Sequence, residues 1–142
     1  MGEPLLDVNV LLALTWPNHQ FHISARTWFV AEAVRGWSTC ATTQLGFVRL
    51  SSNPRFTPLA KTPAEALALL EQLIATSRHR YLDGAPAPAA PPFRDLAARL
   101  MGPNQVTDAF LLATALHHSV PLVTFDARLK HLDPGGAVLV LS

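Results

Sequence analysis

Three aspartates carry the chemistry open to this chain, and each sits where an acidic side chain needs a reason. Asp7 interrupts LLDVNVLLAL, residues 5–14, a run in which eight of ten residues are apolar. A carboxylate in so oily a segment is costly to bury unless it is paired, hydrogen-bonded or bound to a cation. Asp126 follows the apolar stretch PLVTF (121–125), and Asp108 opens DAFLLATALHHS directly after Thr107. Asn9 and Thr124 place short polar groups beside the first two. Taken singly, Asp108 reads as a carboxylate favoured by a helix dipole, and Asp126 as the cap of ARLKHL. Gathered at one rim, the three would repel, and a hard divalent cation relieves that repulsion. Oxygen ligands without Cys or His suit Mg²⁺ or Mn²⁺ rather than Zn²⁺. Such an ion activates water and stabilises charge growing on a phosphoryl oxygen.

The elements that must position these groups are short. PLLDV (4–8) reads as a buried strand, and a turn at Val8-Asn9 leads into helix VLLALTW. A second helix is predicted over 18–34, capped by Asn18, with Phe21, Ala25, Trp28 and Phe29 at helical spacing and Gly36 as its stop. WSTCA (37–41) reads as a strand, with Thr42 or Thr43 capping a third helix through Leu50. SSNPRFTPLAK is a loop by its Asn-Pro and Thr-Pro steps. TPAE then announces a helix: Thr62 as N-cap, Pro63 at the first position, Glu65 closing a capping box. HRYLD (79–83) is a strand, GAPAPAAPP (84–92) a semi-rigid surface loop, and a helix covers 93–100. Thr107 is expected to cap the next helix, with PLVTF and AVLVL (137–141) as the last strands. Short apolar strands alternating with helices predict a parallel α/β sheet covered on both faces. Such sheets present functional groups just beyond the carboxyl ends of their strands, where Asp7 and Asp126 fall.

Composition narrows the classes. At 142 residues the chain is expected to form a single domain, 1–142, burying roughly 70% of its unfolded surface. Only 15% of residues are charged against 49% hydrophobic, so part of the surface is expected to be covered by a partner or a second copy. A net charge of +1 gives no bulk electrostatic case for nucleic acid or membrane. The lone Cys40 excludes an internal disulfide and fits a reducing cytoplasm. Glu3 and Pro4 precede the first apolar run without a basic segment, which is unlike a signal peptide. No uncharged apolar run approaches the ~20 residues of a membrane span.

LLDVNVLLAL near the start, FVRLSSNP in the middle and VTDAFLLATALHHSVPLVTFDARL near the end resemble the PIN domain, and more narrowly the VapC-type toxins of bacterial toxin–antitoxin pairs. The resemblance spans nearly the whole chain, in order. It implies a PIN-like three-layer α/β/α sandwich with a mainly parallel sheet, usually a homodimer. The implied activity is a Mg²⁺- or Mn²⁺-dependent endoribonuclease held inactive by a VapB-like antitoxin. Carried over, Asp7, Asp108 and Asp126 match the acidic metal-binding and catalytic positions, and Asn9 and Thr124 match polar positions that orient ligand or water. One position departs: the family supplies another acidic residue on the helix after the second strand, and TTQLGF has Gln44 there. A neutral amide still offers a carbonyl oxygen but no charge. Weaker hold on a second ion, a one-metal mechanism, lower activity and a silent RNA- or antitoxin-binding module all follow from that change. A phosphatase of the haloacid-dehalogenase kind also uses an Asp ending its first strand, but wants a second Asp where Asn9 stands.

Other polar residues read less specifically. Arg49, matching the Arg of FVRL, serves either as a phosphate contact or in a structural ion pair. Arg55 in the following loop is an unspecific RNA contact, and Arg128 with Lys130 is either a backbone contact or a solvated helix face. His19 and His22 lie three apart but lack a third nitrogen or sulfur ligand, so capping or solvent-facing roles are expected. His117 and His118 suit a helix C-terminus. Cys40 reads as a small buried residue, and Trp16, Trp28 and Trp37 as core or dimer contacts rather than base-stacking platforms.

Overall fold

The computed structural model describes residues 2–133 and 135–142. Its strands are β1 (Leu5–Leu6), β2 (Trp37–Thr39), β3 (His79–Tyr81), β4 (Leu122–Thr124) and β5 (Val138–Val140). They form one sheet in the order β3-β2-β1-β4-β5, with every neighbouring pair parallel. The helices are α1 (Val8–Thr15), α2 (His22–Glu32), α3 (Ala41–Ser51), α4 (Pro63–Ala75), α5 (Phe93–Ala97) and α6 (Val106–His117). Short 3-10 turns cover Ala33–Arg35, Pro103–Gln105 and Ala127–Leu132.

Alternation along each strand divides the core into two layers. Leu5 and Leu122 point to the face covered by α5 and α6, where they pack with Leu96, Leu111 and Leu112. Their neighbours Leu6 and Val123 point to the other face, among Val10, Leu11, Phe47, Leu70 and Trp37 from α1, α3, α4 and β2. A strand buried on both faces has no polar side to show, so β1 and the start of β4 read as apolar, with the buried Thr124 ending β4. The expected α/β/α sandwich is the observed fold. No helix among the described residues is long and apolar enough to cross a membrane.

The order of the strands also locates a crevice. From β1 the chain adds β2 and β3 to one side, then returns to add β4 and β5 to the other. The direction of winding reverses between β1 and β4, which is where open parallel sheets leave a gap at their carboxyl ends.

Several helix starts differ from the sequence reading. Asn18 does not cap α2: consecutive turns close from Trp16 to His19 and from His19 to His22, delaying the helix. Instead His19 Nδ1 accepts from the Phe21 amide at 3.0 Å. Neither Thr42 nor Thr43 takes the cap of α3. Cys40 holds that position, and Thr43, three residues in, accepts from the Cys40 amide at 3.0 Å. Thr107 lies inside α6, because the 3-10 turn Pro103–Gln105 runs straight into that helix and leaves no cap. The α5 helix stops at Ala97 rather than Leu100. Where all the signals coincide, the reading is right: Thr62 caps α4, and Thr62 and Glu65 exchange both capping-box bonds.

Candidate active site

The crevice between β1 and β4 is organised by one hydroxyl. Thr124 Oγ1 donates to Asp7 Oδ2 at 2.7 Å, accepts from Asn9 Nδ2 at 3.1 Å, and accepts from the Asp126 amide at 3.0 Å. A threonine hydroxyl has one proton and two lone pairs, so these three bonds exhaust it. Two of its partners are N–H donors, which leaves the carboxylate of Asp7 as the only acceptor for its proton. Asn9 returns to the same strand by accepting from the Phe125 amide at 3.1 Å. The apolar segments thus bring Asp7, Asn9, Thr124 and Asp126 together.

Asp7 is the deepest member, with 6% of its surface exposed. It ends β1 and caps α1, its Oδ1 accepting from the Val8 amide at 2.7 Å. Burial raises its pKa above the ordinary carboxylate value, and the hydrogen bonds from Thr124 and Val8 act in the opposite direction. No cation is among the groups acting on it. Asp108 lies in the first turn of α6, where its pKa is pushed up to about 6 by burial and then by the charges of Asp7 and Asp126. The three aspartates therefore share one electrostatic environment, although they come from three separate elements.

Asp126 is held differently. It caps the 3-10 turn Ala127–Leu132, and Arg128 grips it: Nε reaches Oδ1 and Nη2 reaches Oδ2, both at 3.0 Å. The Arg128 amide also donates to Oδ1. The guanidinium holds Asp126 below the usual carboxylate range and also lowers the pKa of Asp108. Sequence reasoning placed Arg128 as a backbone contact or solvated residue and missed this grip. No local signal announced it, since D-x-R spacing occurs as readily between two solvated neighbours.

The remaining positions lie farther out. Gln44, in the first turns of α3, donates from Nε2 to Thr39 Oγ1 at 2.9 Å. Thr39 Oγ1 in turn meets His79 Nε2 at 2.7 Å, so the amide is tied to β2 and β3 rather than to the aspartates. Arg49 and Arg55 are exposed and lie towards the opposite end of the neighbouring helices. The marker for that end is Ser51, whose hydroxyl accepts from Trp16 Nε1 where α1 finishes. An eight-residue helix carries that point about 12 Å from Asp7. Arg49 forms no ion pair among the described residues. Of the histidines, His22 Nδ1 bonds the Ala13 carbonyl and His118 Nε2 bonds that of Gly84, so both act within the framework.

The donor set fits a hard cation. Its potential ligands are carboxylate oxygens alone, and two of them are raised in pKa by burial or by each other, the condition a divalent ion relieves. Among the described residues, no group of three or more His, Cys, Asp or Glu side chains is yet closed into a ligand cluster. Arg128 meanwhile neutralises the charge of Asp126 within the chain.

Comparison with known proteins agrees with this architecture. The PIN domain model matches residues 5–134. Ribonuclease VapC38 of Mycobacterium tuberculosis (strain ATCC 25618 / H37Rv) is 46% identical over 123 residues, which span 87% of this chain and 84% of that protein. Ribonuclease VapC39 of the same species (strain CDC 1551 / Oshkosh) is 40% identical over 139 residues, 96% of this chain and 98% of that one. The crystal structure of DNA-bound VapBC from Salmonella typhimurium shares the fold with a TM-score of 0.68 at 20% identity, covering 99% of this chain and 98% of its own. With the strand order, the crevice and these matches in agreement, the chain belongs to the PIN domain family.

Proposed function

We propose that this chain, acting as a single domain, is a metal-dependent endoribonuclease, the toxin of a toxin–antitoxin pair neutralised by a VapB-like antitoxin. The observation that carries the reading is the Thr124 hub, which ties Asp7 and Asp126 together at the switch point beside Asp108. The printed names of the relatives, ribonuclease VapC38 and VapC39, support the reaction class. Asp7, Asp108 and Asp126 would hold Mg²⁺ or Mn²⁺, which when bound supplies an activated water and stabilises charge on the phosphoryl oxygens.

The chain's own residues do the positioning. Thr124 and the Val8 amide fix both oxygens of Asp7, so this carboxylate faces the crevice without losing rotamer freedom on binding. Asn9 holds the β4 end against the start of α1, keeping the first and last aspartates at a set spacing. Hydrolysis joins a water oxygen to phosphorus and breaks the bond to a ribose oxygen, which leaves with a proton. Arg128, Arg49 and Arg55 are the cations available to the RNA backbone, Arg128 beside the site and the other two at a distance. A homodimer is supported by α2 and the 3-10 turn that follows it, which expose Ile23, Val30 and Val34 at 80%, 69% and 61%.

The decisive experiment incubates single-stranded RNA with the purified protein in Mg²⁺, in Mn²⁺ and in a chelator. Cleavage is expected with metal, none with chelator, and a loss beyond the roughly 100-fold typical of an outer-shell change in Asp7→Asn. Metal-dependent cleavage that survives Asp7→Asn would overturn the assignment of the site.

A further inference from the structure

Helix α3 carries Gly46 in its interior, on the buried side that it shares with Thr43 and Phe47. Glycine is the poorest helix former after proline, so helix propensity argues against it at this position. Close approach accounts for it. A Cβ added at Gly46 would meet Val8 Cγ2 at 2.7 Å, with Val8 Cγ1 and Cβ behind it at 3.6 and 3.7 Å. The first separation is well inside the optimum for two carbons, so something around Val8 would have to give way.

Two features decide what yields. At their C-terminal ends α1 and α3 are pinned by the buried hydrogen bond from Trp16 Nε1 to Ser51 Oγ, 3.1 Å long. Trp16 follows α1 directly and Ser51 is the last residue of α3, so a wedge at Gly46 opens the end away from that bond. Val8 is the first residue of α1, and valine is stiff at χ1, so its methyl does not swing aside freely. That end of α1 is also where Asp7 is held. The Val8 amide donates to Asp7 Oδ1 at 2.7 Å, and the Val10 amide donates to the Asp7 carbonyl at 3.0 Å. Displacing Val8 takes its amide off the carboxylate, because a close-packed interior passes such shifts on.

We propose that Gly46 is a positioning residue for Asp7: its lack of a side chain lets α3 seat against Val8 and so keeps the Val8 amide on the carboxylate. The consequence for metal binding rests on the metal-dependent nuclease reading, and the contact itself does not. On sequence grounds Gln44 is the residue of α3 that draws attention, yet its amide bonds Thr39. The residue of α3 that bears on Asp7 is Gly46, two positions further along.

The test follows two readouts in the full chain: Mn²⁺ binding by calorimetry, and the amide proton of residue 8 by NMR in the metal-free protein. Gly46→Ala is expected to weaken Mn²⁺ binding about tenfold, the low end for a change outside the ligands themselves. It should also shift the Val8 amide signal, which reports the bond to Asp7. Taking away the other half of the contact reverses both effects. Gly46→Ala combined with Val8→Ala should match Val8→Ala alone, since alanine keeps the amide and lacks Cγ2. Either readout unchanged in Gly46→Ala overturns the proposal, as does a double variant that departs from Val8→Ala as far as Gly46→Ala departs from the parent. If Gly46→Ala does not fold, the double variant carries the test, and its failure to fold or to match Val8→Ala overturns the proposal too. A parent chain that binds no Mn²⁺ and cuts no RNA would remove the nuclease reading, while a shifted Val8 amide and its recovery in the double variant would still uphold the hold of Gly46 on Asp7. A parent that binds Mn²⁺ and cuts RNA, matched in both readouts by Gly46→Ala, would do the reverse.

Discussion

Asp7 and Asp126 end neighbouring strands and share the Thr124 hydroxyl, yet they are held in opposite ways. Asp7 is buried, and both of its oxygens accept from neutral donors of the framework. Asp126 is partly exposed and is clamped by a guanidinium whose side chain is 74% exposed. Hydrogen bonds fix where Asp7 points but do not cancel its charge, so burial still raises its pKa. The counter-charge beside Asp126 lowers its pKa, and the chain neutralises it without help. Position and charge balance are therefore separate properties of a carboxylate site. Asp7 is the fixed member of this one, and Asp126 is the exchangeable one.

The largest break in that comparison is Thr124→Val, nearly equal in volume but without the hydroxyl. It removes the donor to Asp7 and the acceptor for Asn9 and the Asp126 amide in one step. A stability loss of about 2–3 kcal/mol is expected by denaturant titration, the scale of buried polar groups left unpaired. RNA cleavage should fall about 10- to 100-fold in the fraction that still folds. A variant as stable and active as the parent would show that Asp7 and Asp126 are not linked through this atom.

A smaller effect is expected from Arg128→Gln. Removing the clamp frees Asp126 for another cation, so Mn²⁺ affinity measured by calorimetry should rise a few-fold. The gain is limited because an exposed ion pair is worth at most about 1 kcal/mol. Weaker Mn²⁺ binding in this variant would mean that the clamp helps to assemble the site rather than competing for it.

A third effect is a change in pH dependence. The raised pKa of Asp108, about 6 against 3.8, means the folded protein binds a proton more tightly than the unfolded chain between these values. Its contribution to stability is present below pH 3.8 and is lost as pH rises through about 6. Metal-free Asp108→Asn should therefore melt above the parent at pH 7.5, with the gap closing towards pH 4. His19 and His79, both lowered by burial, work in the opposite sense below 6.5, so the variant–parent difference is the quantity to measure. A gap independent of pH would remove the raised pKa of Asp108, which burial causes first and the charges of Asp7 and Asp126 second.

Much of this was legible before any coordinates. LLDVNVLLAL and PLVTF were long enough in apolar residues, and short enough between breaks, to read as buried strands feeding helices, and the all-parallel sheet follows that reading. The α4 start was legible because three local signals, Thr62, Pro63 and Glu65, fall within four residues. Starts set by distant geometry were not. Thr107 looks like a cap by type, but the preceding 3-10 turn supplies the helical conformation and makes a cap unnecessary. Asn18 looks like a cap too, and lost the role to two successive turns reversing the chain after Trp16. The aspartates stood out because carboxylates are costly in apolar company. The Arg128 clamp did not, since nothing in D-x-R distinguishes a bidentate pair from two solvated neighbours.

The sequence by itself determined which segments must be buried and which oxygen-bearing residues interrupt them, because hydrophobic periodicity and the cost of burying charge act over a few residues. The tertiary structure alone decided that Thr124, more than a hundred residues from Asp7, would carry its proton to that carboxylate. It also decided that Gln44 would turn to Thr39 and His79 rather than to the aspartates. Those outcomes depend on strand order and register, which place β1 between β2 and β4. The long-range hydrogen bonds here, such as that from Thr124 to Asp7, span groups that no local pattern brings together, and only the assembled sheet sets their separation.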